Sequence, residues 1–255
     1  MRRLLPSSFC RRVLTLLTVA TLSACAVWTP QPAVQTRSVA PGPSGDWFWT
    51  PADQVRWTPV RFPGKRHTHF KLAHHEKRAG TQADAAQSIS MLRHNLHVPP
   101  EQLGTLTFHW HVPELIEGAD MGHRHADDSP VRVVLAFAGD RQKFSARDAL
   151  LSELSLTLTG EELPYATLMY VWSNRRPAES VIANPRTDRI QKIVVESGPA
   201  RLKQWLEYER DVRADFQKAF GEPPGALLAI GLMTDSDNTQ STTRAWYGDI
   251  RLSRP

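Results

Sequence analysis

The stretch "GLMTDSDNTQSTTRAWYGDIRL", residues 231 to 252, crowds Asp235, Asp237 and Asn238 into one turn and then delivers Asp249 on an alternating run. A hard cation such as calcium takes about six to eight oxygen ligands, so Asp235, Asp237 and Asp249 are calcium candidates. The loop lacks the length and terminal glutamate of an EF-hand, and the same residues also make a tight polar hairpin. A second acidic corner, "DDSPV", sets Asp127 and Asp128 ahead of Arg132. Asp and Ser bond their own backbone and Pro130 fixes the entry angle, which makes a turn; an arginine on the strand that follows can orient a carboxylate or a sugar hydroxyl. Paired carboxylates across a pocket could cleave a glycoside, one protonating the leaving oxygen and the other serving as base or nucleophile. Asp127, Asp128, Asp235 and Asp237 are the candidates for that chemistry, and Arg132 and Asn238 for ligand binding.

Three His-x-His pairs occur: His67 with His69, His109 with His111, and His123 with His125. Two residues apart on a strand is one face, so each pair could clamp zinc or copper. No HExxH motif accompanies them, and the plainer reading is a solvated or ligand-facing strand surface. Trp110, Tyr170 and Trp172 are either core or rings at the rim of a concave sheet, where they would stack on the apolar face of a sugar. No nucleophile elbow, phosphate loop or dinucleotide fingerprint is present.

These residues need elements to position them. Period-two alternation recurs in "HTHFKLAHH", "SISMLRHNLHV", "LTFHWHV", "VRVVLAFAG", "LPYATLMYVWS", "QKIVVES", "LLAIGLMT" and "TRAWYGDIRL", each bounded by Gly, Pro, Asn or Asp. Such runs predict a mainly β fold, an antiparallel β-sandwich of jelly-roll type. Two segments have a helical period: "SARDALLSELSLTL", near 145 to 158, and "LKQWLEYERDVRADFQKAF", from 202 to 220, closed by Gly221 and two prolines. One or two helices therefore pack on the sandwich.

The landmarks "FHWHV" (108 to 112), "HADDSPVRVVLAF" (125 to 137), "LMYVWS" (168 to 173), "ERDVRADFQKAFG" (209 to 221) and "IGLMTDSDNTQSTTRAWYGDI" (230 to 250) together resemble the bacterial domain of unknown function 3047 family. The resemblance runs in order across most of residues 46 to 255 and implies no activity. Where that pattern alternates tryptophan with a basic residue, this chain has Phe108, His109, Trp110 and His111. Ahead of the paired aspartates, where basic residues are common, it has His123, Arg124 and His125. A position that accepts Lys or Arg cannot be a required metal ligand, which weakens the metal reading of these histidines.

Residues 1 to 24 carry Arg2, Arg3, Arg11 and Arg12, then the apolar run "VLTLLTVATL" and "LSAC" ending at Cys25. This predicts a secretory signal, too short for a stable membrane span. "LSAC" also resembles a lipobox, in which the cysteine is lipidated; Ala26 after it implies the outer membrane in a Gram-negative host. Losing four arginines and no acid takes the formal charge from +5 to +1, so nucleic acid is not an expected partner. Cys10 leaves with the signal, and no disulfide is expected. Residues 25 to 45 read as a lipidated cysteine and Pro-rich tether, and residues 46 to 255 as one domain of ordinary size. The function expected is an envelope-anchored module that binds a glycan or other hydroxyl-rich ligand. The alternatives are a glycoside-acting hydrolase using the paired aspartates and a structural lipoprotein that meets a protein partner.

Overall fold

The computed structural model describes residues 45–255, so the expected signal peptide, Cys25 and nearly all of the expected tether lie outside the described residues. In chain order the strands are β1 (Trp47–Trp49), β2 (Thr58–Arg61), β3 (His69–His75), β4 (Arg78–Ala86), β5 (Ile89–Val98), β6 (Thr105–His111), β7 (Ser129–Phe137), β8 (Ala166–Ser173), β9 (Val181–Asn184), β10 (Thr187–Ser197), β11 (Trp205–Asp211), β12 (Leu227–Asp235) and β13 (Thr242–Leu252). Helix α1 (Ala146–Thr159) lies between β7 and β8, and α2 (Val212–Phe220) between β11 and β12.

Two sheets result. The first runs β11-β6-β13-β4-β3, with β1 added along β13; the second runs β2-β5-β12-β7-β8-β10-β9. Pairing is antiparallel except for β8 with β10. Alternation places Leu106, Phe108 and Trp110 of β6 against Val133, Leu135, Tyr170 and Trp172 of the second sheet, in one continuous core. A separate cluster of Met121, Val134, Met169, Val171, Val194 and Met233 covers the other face of the second sheet. Strand β8 is therefore buried on both faces, which is why its sequence is an almost unbroken apolar run.

One expected helix is corrected. Residues 205 to 211 are strand β11, paired with β6 from Trp205 against His111 to Asp211 against Thr105. Leu206, Tyr208 and Arg210 face inward while Glu207 and Glu209 face water, a period of two hidden within a segment that also fits 3.6. The helix begins only where Asp211 caps it, its carboxylate accepting from the amides of Arg213 and Ala214. Phe216 of α2 then packs edge-on to Phe137 at a centroid distance of 4.7 Å. The other expected helix is α1, capped by Ser145 and ended by Gly160 in the left-handed region.

Candidate functional site

The two acidic corners, about a hundred residues apart in sequence, meet at one end of the second sheet. Strand β7 carries Arg132 and β12 ends on Asp235; the two strands are hydrogen-bonded neighbours. The Arg132 guanidinium donates from Nη2 to Asp127 Oδ1 at 3.1 Å, to the Asp127 carbonyl at 2.8 Å and to Asp235 Oδ2 at 3.1 Å. Lys192 on β10 donates to Asp127 Oδ2 at 2.8 Å and to the Met121 carbonyl at 3.1 Å. Asp128 Oδ1 accepts from the backbone and side-chain amides of Asn238, and Oδ2 from the amide and hydroxyl of Thr239. Asn238 also donates to the Asp127 carbonyl, and Lys65 pairs with Asp237. From the opposite sheet the Tyr247 hydroxyl accepts the Arg132 amide at 3.2 Å and donates to the Met233 carbonyl at 2.6 Å.

The electrostatics of this corner are self-contained. Burial opposes charge on Asp127, yet Arg132 and Lys192 outweigh it and hold the carboxyl below the usual range. Burial likewise opposes charge on Asp128, and the bonds from Thr239 and Asn238 outweigh it. Asp235 goes the other way: burial, with help from the neighbouring Asp128, pushes it well above the ordinary carboxylate value in spite of Arg132. Burial and the nearby Arg132 bring Lys192 down to about 8, so it is charged at neutral pH. Burial thus works against charge on Asp235, while Arg132, Lys192 and the donors of Asn238 and Thr239 favour it on Asp127 and Asp128.

Asp128, Asp235, Arg132 and Lys192 are all buried. One carboxylate oxygen each from Asp128, Asp235 and Asp237 lies within 4.8 Å of the others. The oxygens of Asp128 are already saturated by four donors, and Asp235 and Asp237 have Arg132 and Lys65 as counter-ions. The positive charge that calcium would bring is thus supplied by side chains. Asp249 is not in this cluster: it lies on the other sheet, its carbonyl 3.1 Å from the His109 ring, so the expected calcium set is corrected on that residue. The expectation that Trp110, Tyr170 and Trp172 meet a ligand is corrected as well. All three are at most 1% exposed. Trp110 and Trp172 pack at 6.5 Å, Trp172 donates to the Gly198 carbonyl, and the Tyr170 hydroxyl donates to Asp215 beneath α2.

Open space lies beside the corner. A cleft of about 640 Å³ is lined by Arg66, His67, His69, Asp84, Glu114 and Arg244, with Ala85, Ala86, Thr242 and Thr243. The corner positions it. Lys65, paired with Asp237, precedes Arg66, and the turn held by Asp128 leads directly into Thr242. Thr68 is buried, with its amide on Ser90 Oγ and its hydroxyl on the Thr234 carbonyl, so alternation turns His67 and His69 outward. Asp84 is held below the usual range, against partial burial, by Arg244 and Gln82. Sequence reasoning singled out His67 and His69 but missed Lys192, whose signal was a lone charge inside the apolar run "IQKIVV". It also missed Asp84, Glu114 and Arg244, which carry no motif.

The fold and the locked corner define a two-sheet β-sandwich with an attached polar cleft. Residues 55–251 match the family described as protein of unknown function (DUF3047), and the chain belongs to that family. No curated protein matches it. Among solved structures, it is similar to the family 11 carbohydrate-binding module of the cellulase Lic26A-Cel5E of Clostridium thermocellum, at 9% identity and a TM-score of 0.41 over 85% of this chain and 97% of that one. It is also similar to the K1 cleaved adhesin domain of Lys-gingipain from Porphyromonas gingivalis W83, at 10% identity and a TM-score of 0.39 over 82% and 98%. A third is the mannan-recognising module TmCBM27, at 10% identity and a TM-score of 0.33 over 82% and 96%. Identities this low transfer no residue role.

Proposed function

We propose that the protein is an exported lipoprotein, anchored through Cys25, whose sandwich binds a neutral, hydroxyl-rich ligand such as an envelope glycan in the cleft beside the acidic corner. One observation carries this reading: the carboxylates of the corner are consumed in mutual pairing, whereas the cleft keeps solvated donors and acceptors of both signs within a volume suited to a small ligand. Arg66 and Arg244 balance Asp84 and Glu114, and balanced donors and acceptors suit sugar hydroxyls better than an anion or a cation. Hydrolysis by Asp127, Asp128, Asp235 or Asp237 is disfavoured because no substrate oxygen can reach an acid whose bonds are already made. Calorimetric titration with peptidoglycan fragments and neutral polysaccharides tests the reading. At least one should bind, and Arg244→Ala should weaken it about tenfold or more, the worth of one charged hydrogen bond. Heat from none of these ligands refutes it.

A further inference from the structure

Away from both the corner and the cleft, on the outer face of the first sheet, three potential ligands converge, two from the end of one hairpin strand and its turn and one from a strand more than thirty residues further on. We propose that in this chain His75, Glu76 and His111 form a binding site for a divalent transition metal of the zinc type, held by two imidazole nitrogens and one carboxylate, a site that a relative with Lys or Arg at position 111 would lack. His75 ends β3 and His111 ends β6. Their Nε2 atoms stand 3.2 Å apart. Two nitrogens sharing a tetrahedral ion at the usual bond lengths stand about 3.3 Å apart, so the pair is already spaced as one edge of a coordination tetrahedron. Glu76 Oε2 lies 3.9 Å from His111 Nε2, and one ligand atom from each of the three falls within 4.8 Å of the others.

The backbone that delivers Glu76 is unusual. His75 pairs with Arg78 across a two-residue hairpin whose central residues, Glu76 and Lys77, have φ of 50° and 65°. Such a turn favours Asn-Gly, and two long side chains there cost conformational energy. The surroundings fix the imidazoles. Trp246 stacks on His75 at 4.0 Å and 15°, and Trp205 donates its indole N–H to the His75 carbonyl. Trp205 lies against the sheet because residues 80 and 248 are glycines: a Cβ on Gly80 would stand 3.0 Å from its ring. His111 is buried beneath them while Glu76 is exposed. The result is a buried, aromatic-walled floor with one side open to water, which suits an ion held by three protein ligands and one solvent ligand. His109 is not part of it, being engaged by Glu207 and the Asp249 carbonyl.

The test is a calorimetric titration of the chelator-stripped protein with zinc chloride, with copper(II) quenching of tryptophan fluorescence as a second readout. The wild type should take one ion at this site and lose Trp emission with copper. His75→Ala should weaken zinc about 100-fold and abolish the quenching, and Glu76→Gln should weaken zinc about tenfold, by analogy with the losses seen on disturbing metal shells. A His123→Ala/His125→Ala double variant, at two exposed histidines outside the site, should bind zinc as the wild type does. Glu76 is exposed, so its variant keeps the test decisive even where His75→Ala folds poorly. Absence of zinc binding in the wild type, or unchanged binding in Glu76→Gln, overturns the proposal.

Discussion

At the corner, Arg132 and Asp235 leave 2% and 4% of their side chains to solvent; in the cleft, the ion pair of Arg244 with Asp84 leaves 56% and 29%. The residue types are the same and their uses are opposite. In the buried corner each charge has lost its water, so it must be matched inside the protein or neutralised, and every group is committed to a partner. In the cleft water still screens the pair, its net contribution is small, and its atoms remain free to exchange one partner for another. Acid-rich sequence is therefore a poor guide to the location of chemistry. Burial decides whether a carboxylate holds the fold or meets a ligand.

The sharpest break of that comparison is Arg132→Met. It leaves Asp127 buried against Lys192 alone and should cost about 3–5 kcal/mol, the usual result of removing one partner from a buried pair, with a large fall in Tm. Next is Asp128→Ala, which strands the amides of Asn238 and Thr239. A loss of about 2–3 kcal/mol is expected in urea unfolding at unchanged m-value, most of it the cost of unsatisfied donors. In the cleft, Asp84→Ala should change stability by less than about 1 kcal/mol while removing ligand heat. A stability loss as large as that of the corner variants would erase the distinction between the two regions.

A smaller effect separates two acids within the corner by pH. Asp127 has a lowered folded value, so its contribution is present above the unfolded value near 3.8 and is lost as pH falls below it. Asp235 has a raised value, so its contribution is full below 3.8 and is lost as pH rises through the folded value. Asp235→Asn, neutral at every pH, should therefore gain stability relative to the wild type as pH is raised from 3 to 8. Asp127→Asn should lose ground over the same range. Parallel Tm–pH curves for the two variants would show that the corner does not separate these acids.

Period-two alternation made eight of the strands legible, because a face buried in a sandwich writes itself into every second residue. It did not reveal β4, "RAGTQADAA", whose alanines and glycine have little strand preference; its place is set by pairing with β13 on one side and β3 on the other. Nor did it distinguish β11 from the start of a helix, since "WLEYERD" fits both periods and only the open edge of β6 chose between them. The turn chemistry of the two acidic corners was also readable, and so was the choice they posed between structure and catalysis.

By itself the sequence determined the β-sandwich class, the family, the presence of two helical segments and the aspartates, Arg132 and Asn238 of the corner, all of which depend on local pattern and on side-chain chemistry. Tertiary structure alone decided that Arg132 bridges Asp127 and Asp235, that Trp110, Tyr170 and Trp172 are core, and that His111 meets His75 in preference to His109. Those outcomes depend on which strands become neighbours and which face of each loses its water. Pairing across a hundred or more residues is fixed by the packing of the whole sandwich, and no local pattern encodes it.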